Sequence, residues 1–363
     1  MSNVRRRWTI GVLATIVALS AFAWWQRGAI ALRLVAIGID RLTAQEDPVA
    51  VLPDGLHVFV CGAGSPLTDA RHGGPCTVMI AGKKMFLFDA GSGSAARLLR
   101  MGLNPARIDA VFLTHFHSDH IDGIGELAMQ RWIGAAATQP LAVYGPTGVA
   151  EVVAGFRAAY SLDQQYRTTH HGATLAPPEG FGAEAREFAV PTAERRIVLV
   201  AEPDLEVVAF TVDHGPVTPA VGYRVRYKDR LVVLSGDTRR SDDVVREAQG
   251  ADLLIHEALS AKFLGLLARG FERHGRARYA QLMRDIQNYH SSPEEAATVA
   301  AAAKVRRLVL NHIVPPLPTT ALNDEFLGNA TKRFVGPIDV ARDGDAYSLL
   351  PGTHDVVHFQ RAP

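Results

Sequence analysis

The chain has 363 residues, 48% hydrophobic and 21% charged, enough apolar mass for one large domain or two small ones and too much for a disordered polymer. Lys and Arg total 38 against 37 Asp and Glu, a net charge of +1. No general basic surplus is present to hold a polyanion such as RNA, so the composition argues against a nucleic-acid partner.

The chain opens with Arg5, Arg6 and Arg7, followed by residues 8–25 without a single charge. Eighteen residues at ~1.5 Å rise reach ~27 Å, close to the apolar thickness of a bilayer. The basic flank orients the N-terminus to the cytoplasm and the rest of the chain outward. Residues 1–27 therefore read as a signal peptide or a membrane anchor, and an extracytoplasmic, periplasmic body follows. Ala21-Phe22-Ala23 offers a small-x-small cleavage site, whereas Trp24-Trp25 and Arg27 suit an interfacial belt. Residues 28–50 read as a juxtamembrane helix or linker, and the catalytic body spans 51–363.

Within that body, short apolar runs ending in Gly or Asp predict strands at 56–60, 77–80, 85–88, 110–113 and 141–144. Helical stretches lie between them at 94–101, 121–133 and 149–160. Cys61 and Cys76 are the two cysteines; their spacing allows a disulfide closing a short loop or two small buried hydrophobes. Residues 163–203 lack a clean period and read as a surface insertion or lid. Further strands follow at 206–212, 221–227, 230–234 and 253–256, then a helical stretch over 258–288. Ser292-Pro293-Glu294-Glu295 has the form of a helix start, with Ser as N-cap, Pro at N1 and acids in the first turn, and a strand follows at 308–311. Strands alternating with helices in both halves indicate a layered α/β body.

The chemistry concentrates in Thr114-His115-Phe116-His117-Ser118-Asp119-His120, directly after an apolar strand. His115 and His117 stand one residue apart, so an extended backbone directs both rings to one side and onto one ion. Asp119 and His120 then turn onto a second ion as the next helix begins. Imidazole and carboxylate donors suit two divalent ions, Zn²⁺ first, with Mn²⁺ or Fe²⁺ as competitors. Two ions need further ligands. His214, Asp237 and His312 each lie just past an apolar strand, where side chains converge on one rim of a sheet.

In this order the residues resemble the metallo-β-lactamase-fold hydrolases, specifically the branch of ribonuclease Z and related arylsulfatases. Matching segments run over most of the body: Cys61-Gly62-Ala63-Gly64-Ser65-Pro66, Phe88-Asp89-Ala90-Gly91, the T-H-x-H-x-D-H run, His214, Ser235-Gly236-Asp237-Thr238, His256-Glu257-Ala258, His290-Ser291-Ser292 and His312. The resemblance implies a four-layer αββα sandwich. It implies His115, His117 and His214 on one metal, Asp119, His120 and His312 on the other, and Asp237 bridging both, with Asp119 also assigned to catalysis. Water held between two cations becomes hydroxide near neutral pH and serves as nucleophile. Asp89 is expected to orient a metal-bound imidazole from behind. His290, 22 residues before His312, is the candidate general acid, and Glu257 or His256 its hydrogen-bond partner.

One interval departs from the tRNA-processing members. Only 23 positions separate His214 from Asp237, with two strands and the turn Lys228-Asp229 where those enzymes carry a long tRNA-gripping arm. The sequence therefore points to a small-molecule phosphodiester or sulfate ester as substrate, with a homodimer allowed by the resemblance. Lactone or β-lactam hydrolysis, a ribonuclease Z-type endoribonuclease and a non-catalytic membrane-tethered binding protein stand as alternatives.

Overall fold

The computed structural model describes residues 2–44, 47–67, 69, 71–190 and 196–361. Two compact units are present, Met1–Asp47 and Pro48–Pro363. The first holds helices α1 (Ser2–Trp25) and α2 (Arg27–Thr43). Within α1, Arg7–Trp25 is long and apolar enough to cross a membrane, and its apolar side chains are exposed.

In the second unit α3 (Pro48–Val51) leads into β1 (Leu56–Gly62), β2 (Cys76–Ala81), β3 (Lys84–Phe88), α4 (Ser94–Arg100), β4 (Ala110–Phe112), α5 (Ser118–Ile121) and α6 (Ile124–Gly134). There follow β5 (Leu141–Pro146), α7 (Val149–Ala159), α8 (Ser161–His171), β6 (Ala183–Phe188), β7 (Ile197–Glu202), β8 (Leu205–Thr211), β9 (Val221–Tyr227) and β10 (Arg230–Leu234). The last part contains α9 (Asp242–Glu247), β11 (Leu253–Leu259), α10 (Ala261–Arg273), α11 (Ala277–Asp285), α12 (Pro293–Ala302) and β12 (Arg307–Val314). Two short helices, α13 (Asn323–Leu327) and α14 (Ala330–Arg333), precede β13 (Ile338–Val340), β14 (Asp345–Leu349) and β15 (Val357–Gln360).

One sheet runs β15-β14-β1-β2-β3-β4-β5-β6 and the other β13-β12-β11-β10-β9-β8-β7. Alternation along each strand gives both sheets an inner and an outer apolar face. Val58, Met79, Phe86 and Phe112 of the first sheet meet Val207, Tyr223, Val232 and Ile255 of the second in a shared core. On the outer faces, Val78, Leu87 and Val111 pack with Leu98, Leu127 and Val153 of the helices, and Val233, Leu254 and Leu310 pack with Val244, Val299 and Phe326. Helix, sheet, sheet and helix thus form the four layers anticipated from the sequence.

Residues 163–203 contain more order than their composition suggested: part of α8 and the strands β6 and β7, each an edge strand, with 191–195 outside the described residues. Edge strands have one face or flank in water and so lack the apolar alternation that marks inner strands. Cys61 and Cys76, on neighbouring strands, form a disulfide with Cα atoms 5.1 Å apart. The helical stretch expected over 258–288 is a hairpin, broken at Gly275, whose φ of 70° a side-chain-bearing residue rarely adopts. The helix start read at Ser292 is present, and the structure adds a capping box in which Ser292 and Glu295 satisfy each other's backbone N–H.

Candidate metal centre

The site lies where several strands of both sheets end together. After β4, the chain leaves the sheet at Thr114 and carries His115, His117, Asp119 and His120 into the start of α5. Gly91 lies beneath this loop, and a Cβ there would stand 2.4 Å from the Asp119 carbonyl oxygen, so only glycine permits the approach. Asp89, just past β3, adopts the left-handed region with φ 57°. Its Oδ1 accepts the Thr114 backbone N–H at 2.8 Å, the Thr114 hydroxyl donates to both carboxylate oxygens, and Oδ2 accepts from His120 Nδ1 at 2.9 Å.

The second sheet contributes one group per strand end. His214 follows β8 and donates from Nδ1 to the Tyr289 carbonyl at 2.9 Å. Asp237 follows β10 beside Gly236, whose φ of 62° and close approach to the Val221 carbonyl suit glycine alone. His312 occupies an irregularity in β12: Asn311 pairs with Glu257 and Ile313 with Ala258, leaving His312 as the extra residue, at φ 46°. A bulge of this kind re-aims one side chain, and a non-glycine residue in left-handed backbone costs about 1–3 kcal/mol.

These routes converge on Asp237 Oδ2. It lies 3.3 Å from His312 Nε2, 3.4 Å from His120 Nε2, and 3.9 Å from both His115 Nε2 and His214 Nε2. Asp119 Oδ2 is 3.3 Å from His312 Nε2 and 3.6 Å from His120 Nε2, and His115 Nε2 and His117 Nδ1 face each other at 2.9 Å. Within each of the triads His115/His117/His214, His115/His120/Asp237 and Asp119/His120/His312, the potential ligand atoms are all within 4.8 Å of one another. His and Asp clusters able to bind metal ions are therefore present.

The electrostatics fit cations. Burial opposes charge on His120, yet Asp237, Asp89 and Asp119 outweigh it and hold the imidazole well above its usual range. Burial likewise disfavours the Asp237 carboxylate, but His312 and His120 hold it far below the ordinary range. For His115, burial and then the neighbouring His120 depress the pKa well below the usual value. His120 Nε2 and His214 Nε2, both fully buried, find no hydrogen-bond partner among the described residues. Orphaned imidazole nitrogens beside carboxylates in a dry pocket are what metal ligands present toward an ion.

A cavity of ≈ 290 Å³ opens over the cluster. His117, Asp119, Asp237 and His312 line it together with Leu282, Met283, Ile286, Tyr289 and His290, and His290 lies beside His214, Asp237 and His312 with potential ligand atoms within 4.8 Å. His290 Nδ1 donates to Glu257 Oε1 at 3.0 Å, leaving Nε2 as its second ring nitrogen. Burial works against the charged form of His290, and Glu257 outweighs it, raising the pKa to about 9. The same carboxylate oxygen accepts the backbone N–H groups of Thr238 and Ser291, each at 3.1 Å. His256 instead donates to the Glu257 carbonyl at 2.8 Å, so of the two partners considered for His290 the contact falls to Glu257.

Sequence reading missed three contributors. Thr114 ties Asp89 to the loop, the Tyr289 carbonyl fixes the His214 ring, and Leu282, Met283 and Ile286 line the cavity. The first two lie beside recognised histidines, but the roles belong to a hydroxyl and a backbone carbonyl, which no side-chain pattern encodes.

Residues 84–313, more than half of the chain, match the family model described as a beta-lactamase superfamily domain. The chain belongs to this superfamily of metal-dependent hydrolases. It is 34% identical over 299 residues to ribonuclease Z of Mycolicibacterium gilvum, covering 82% of this chain and 97% of that protein. It is 36% identical over 291 residues to ribonuclease Z of Mycobacterium bovis, covering 79% and 96%. Among solved structures, the short form of human tRNase Z superposes with a TM-score of 0.58 at 22% identity, covering 81% of this chain and 99% of that one. The metallo-beta-lactamase fold protein YhfI from Bacillus subtilis gives 0.58 at 22%, covering 81% and 100%.

These relatives correct the expected partners. Nucleic acid was argued against and a small-molecule ester favoured, yet proteins matched along nearly their whole length are ribonucleases by name. A net charge sums over the whole chain and is silent about where charges cluster, and the short interval between His214 and Asp237 describes one insertion point only.

Proposed function

We propose that this protein is a ribonuclease Z-type endoribonuclease that hydrolyses phosphodiester bonds in RNA with divalent metal ions. The observation that carries the reading is the convergence of four imidazole nitrogens within 3.9 Å of Asp237 Oδ2, under a cavity that His290 also lines. The similarity to proteins named ribonuclease Z supports RNA as the ester.

In this reading His115, His117 and His214 hold one ion and Asp119, His120 and His312 a second, with Asp237 shared. Zn²⁺ is the first choice for so imidazole-rich a set. Bound cations supply Lewis acidity toward the phosphate and a nucleophilic water at neutral pH. The chain's own residues do the rest. Asp89 and the Tyr289 carbonyl accept hydrogen bonds from Nδ1–H of His120 and His214, which fixes the tautomer that leaves each Nε2 facing the cluster. Glu257 accepts from Nδ1 of His290 and its charge favours the doubly protonated ring, so Nε2 also carries a proton that it can give to the departing ribose oxygen when the P–O bond breaks.

We further place the N-terminal apolar helix in a membrane, as anchor or signal, with the catalytic unit outside the cytoplasm. The Arg5-Arg6-Arg7 flank and the Cys61–Cys76 disulfide support this orientation. An alkaline phosphatase fusion after Ala44 that stays inactive refutes it.

The test of the main reading uses the full chain in neutral detergent. Bound metal is measured, and a labelled precursor RNA is incubated before and after chelation. Cleavage that disappears with chelator and returns with Zn²⁺ is expected; a metal-loaded enzyme that leaves RNA intact refutes the ribonuclease assignment.

A further inference from the structure

The helical hairpin α10–α11 gathers charge that the rest of the chain does not have. Between Ala261 and Asp285 stand six basic residues and two acidic ones, although the whole chain nets only +1. Lys262 is neutralised by Glu325, and Arg284 by Glu272 at 2.6 Å. Arg269, Arg273, Arg276 and Arg278 are exposed and have no carboxylate partner among the described residues. All four lie around the bend that joins the two helices.

The hairpin is not a loose appendage. Leu264, Ala268, Ala280 and Met283 are buried against Leu259 and Val314, which fixes one face of each helix to the body. The opposite surface is left to water. Tyr279 is exposed, and its ring stacks on Phe271, which packs against that buried cluster, with centroids 5.3 Å apart and an interplanar angle of 29°. Toward its base, Leu282, Met283 and Ile286 are the wall of the catalytic cavity, and the chain runs on directly to Tyr289 and His290. A ligand lying along the hairpin is thus continuous with the cavity over the metal cluster.

We propose that the α10–α11 hairpin is the docking surface for a single-stranded segment of the RNA substrate, with Arg269, Arg273, Arg276 and Arg278 on its phosphates and Tyr279 stacking a base. This rests on the ribonuclease reading above. Guanidinium groups present planar forks matched to phosphate oxygens, and an exposed aromatic on a supported ring is a platform that any base can use. Charge complementarity selects a polyanion, and continuity with the cavity selects the substrate over an unrelated one.

The experiment measures binding apart from cleavage. The full-length holoenzyme in neutral detergent is titrated against a fluorescein-labelled single-stranded phosphorothioate RNA, which resists hydrolysis, across a salt series. Four phosphate contacts on a single strand give a slope of log K against log salt near −3, at about 0.7 per contact. The quadruple variant Arg269→Gln, Arg273→Gln, Arg276→Gln, Arg278→Gln is expected to flatten that slope by about 3 and to weaken binding at least about tenfold. The corresponding quadruple Arg→Lys variant, which keeps the charge, is expected to retain most of the affinity and the slope. A glutamine variant with wild-type affinity and slope overturns the proposal. So does one that holds RNA normally but no longer sediments with vesicles containing anionic phospholipid, because the hairpin would then serve a membrane. A wild-type enzyme that binds RNA through these arginines yet never cleaves it supports the docking surface and removes the ribonuclease reading instead.

Discussion

The two halves of the catalytic unit supply the candidate metal centre in different ways. The loop after β4 delivers His115, His117, Asp119 and His120 within six residues, all braced by Asp89 through Thr114 and His120. The second sheet delivers His214, Asp237 and His312 singly, each from a different strand end and each held by its own local device: a backbone carbonyl, a left-handed glycine, a bulge. A contiguous ligand run is preorganised by one turn and one carboxylate. Dispersed ligands depend on strand register across the whole sheet, and Asp237 is where the two supplies meet.

Removing that meeting point breaks the comparison hardest. Asp237→Ala is expected to lower metal affinity by more than about 100-fold, beyond the range given by changes behind the ligands. Metal content after dialysis and RNA cleavage report it together. A variant that keeps full metal and activity would show that the halves do not share this oxygen.

His290→Ala removes a group from the second half that is hydrogen-bonded to Glu257 and lies beside His214, Asp237 and His312. It is expected to reduce kcat by about 10²–10⁴ while metal content stays at the wild-type level. Loss of metal in proportion to activity would make His290 a ligand and not a proton donor.

Asp89→Ala tests the bracing of the loop. Because His120 and Thr114 both depend on this carboxylate, metal affinity is expected to fall about 10–100-fold. Isothermal titration of the metal-stripped protein measures it, and an unchanged affinity means that the loop keeps its geometry without the brace.

The smallest effect is expected from Glu257→Gln, which keeps an acceptor for His290 and removes its charge. A kcat loss of about tenfold or less is expected, within the general-acid contribution of His290 itself. The double variant with His290→Ala should be no slower than His290→Ala alone. Additive losses in that cycle would separate Glu257 from His290 and assign it to folding of the Thr238 and Ser291 backbone.

Legibility in the sequence followed the same division. The loop after β4 was readable at once, because four ligand-type side chains in six residues have no common structural use. His214, Asp237 and His312 were readable through their position after apolar strands and through family resemblance. What held them was not: the bulge at His312 arises from the mismatch between β11 and β12, and the Tyr289 carbonyl reaches His214 across 75 positions. The edge strands β6 and β7 were hidden because half-exposed strands lose their apolar rhythm. The hairpin α10–α11 was visible as helix, while the exposure of its arginines needed the packed face of Leu264 and Met283 to be known.

By itself, the sequence determined the family, the inventory of ligand-type side chains, the layered α/β class and the apolar N-terminal helix, since these depend on residue type, order and local period. Only the tertiary structure decided that Glu257 and not His256 holds His290, that Cys61 and Cys76 are joined, and that Leu282, Met283 and Ile286 line the same cavity as Asp119, Asp237 and His312. Those facts are distances between residues far apart in the chain, and such distances exist only once the sheets have paired and packed.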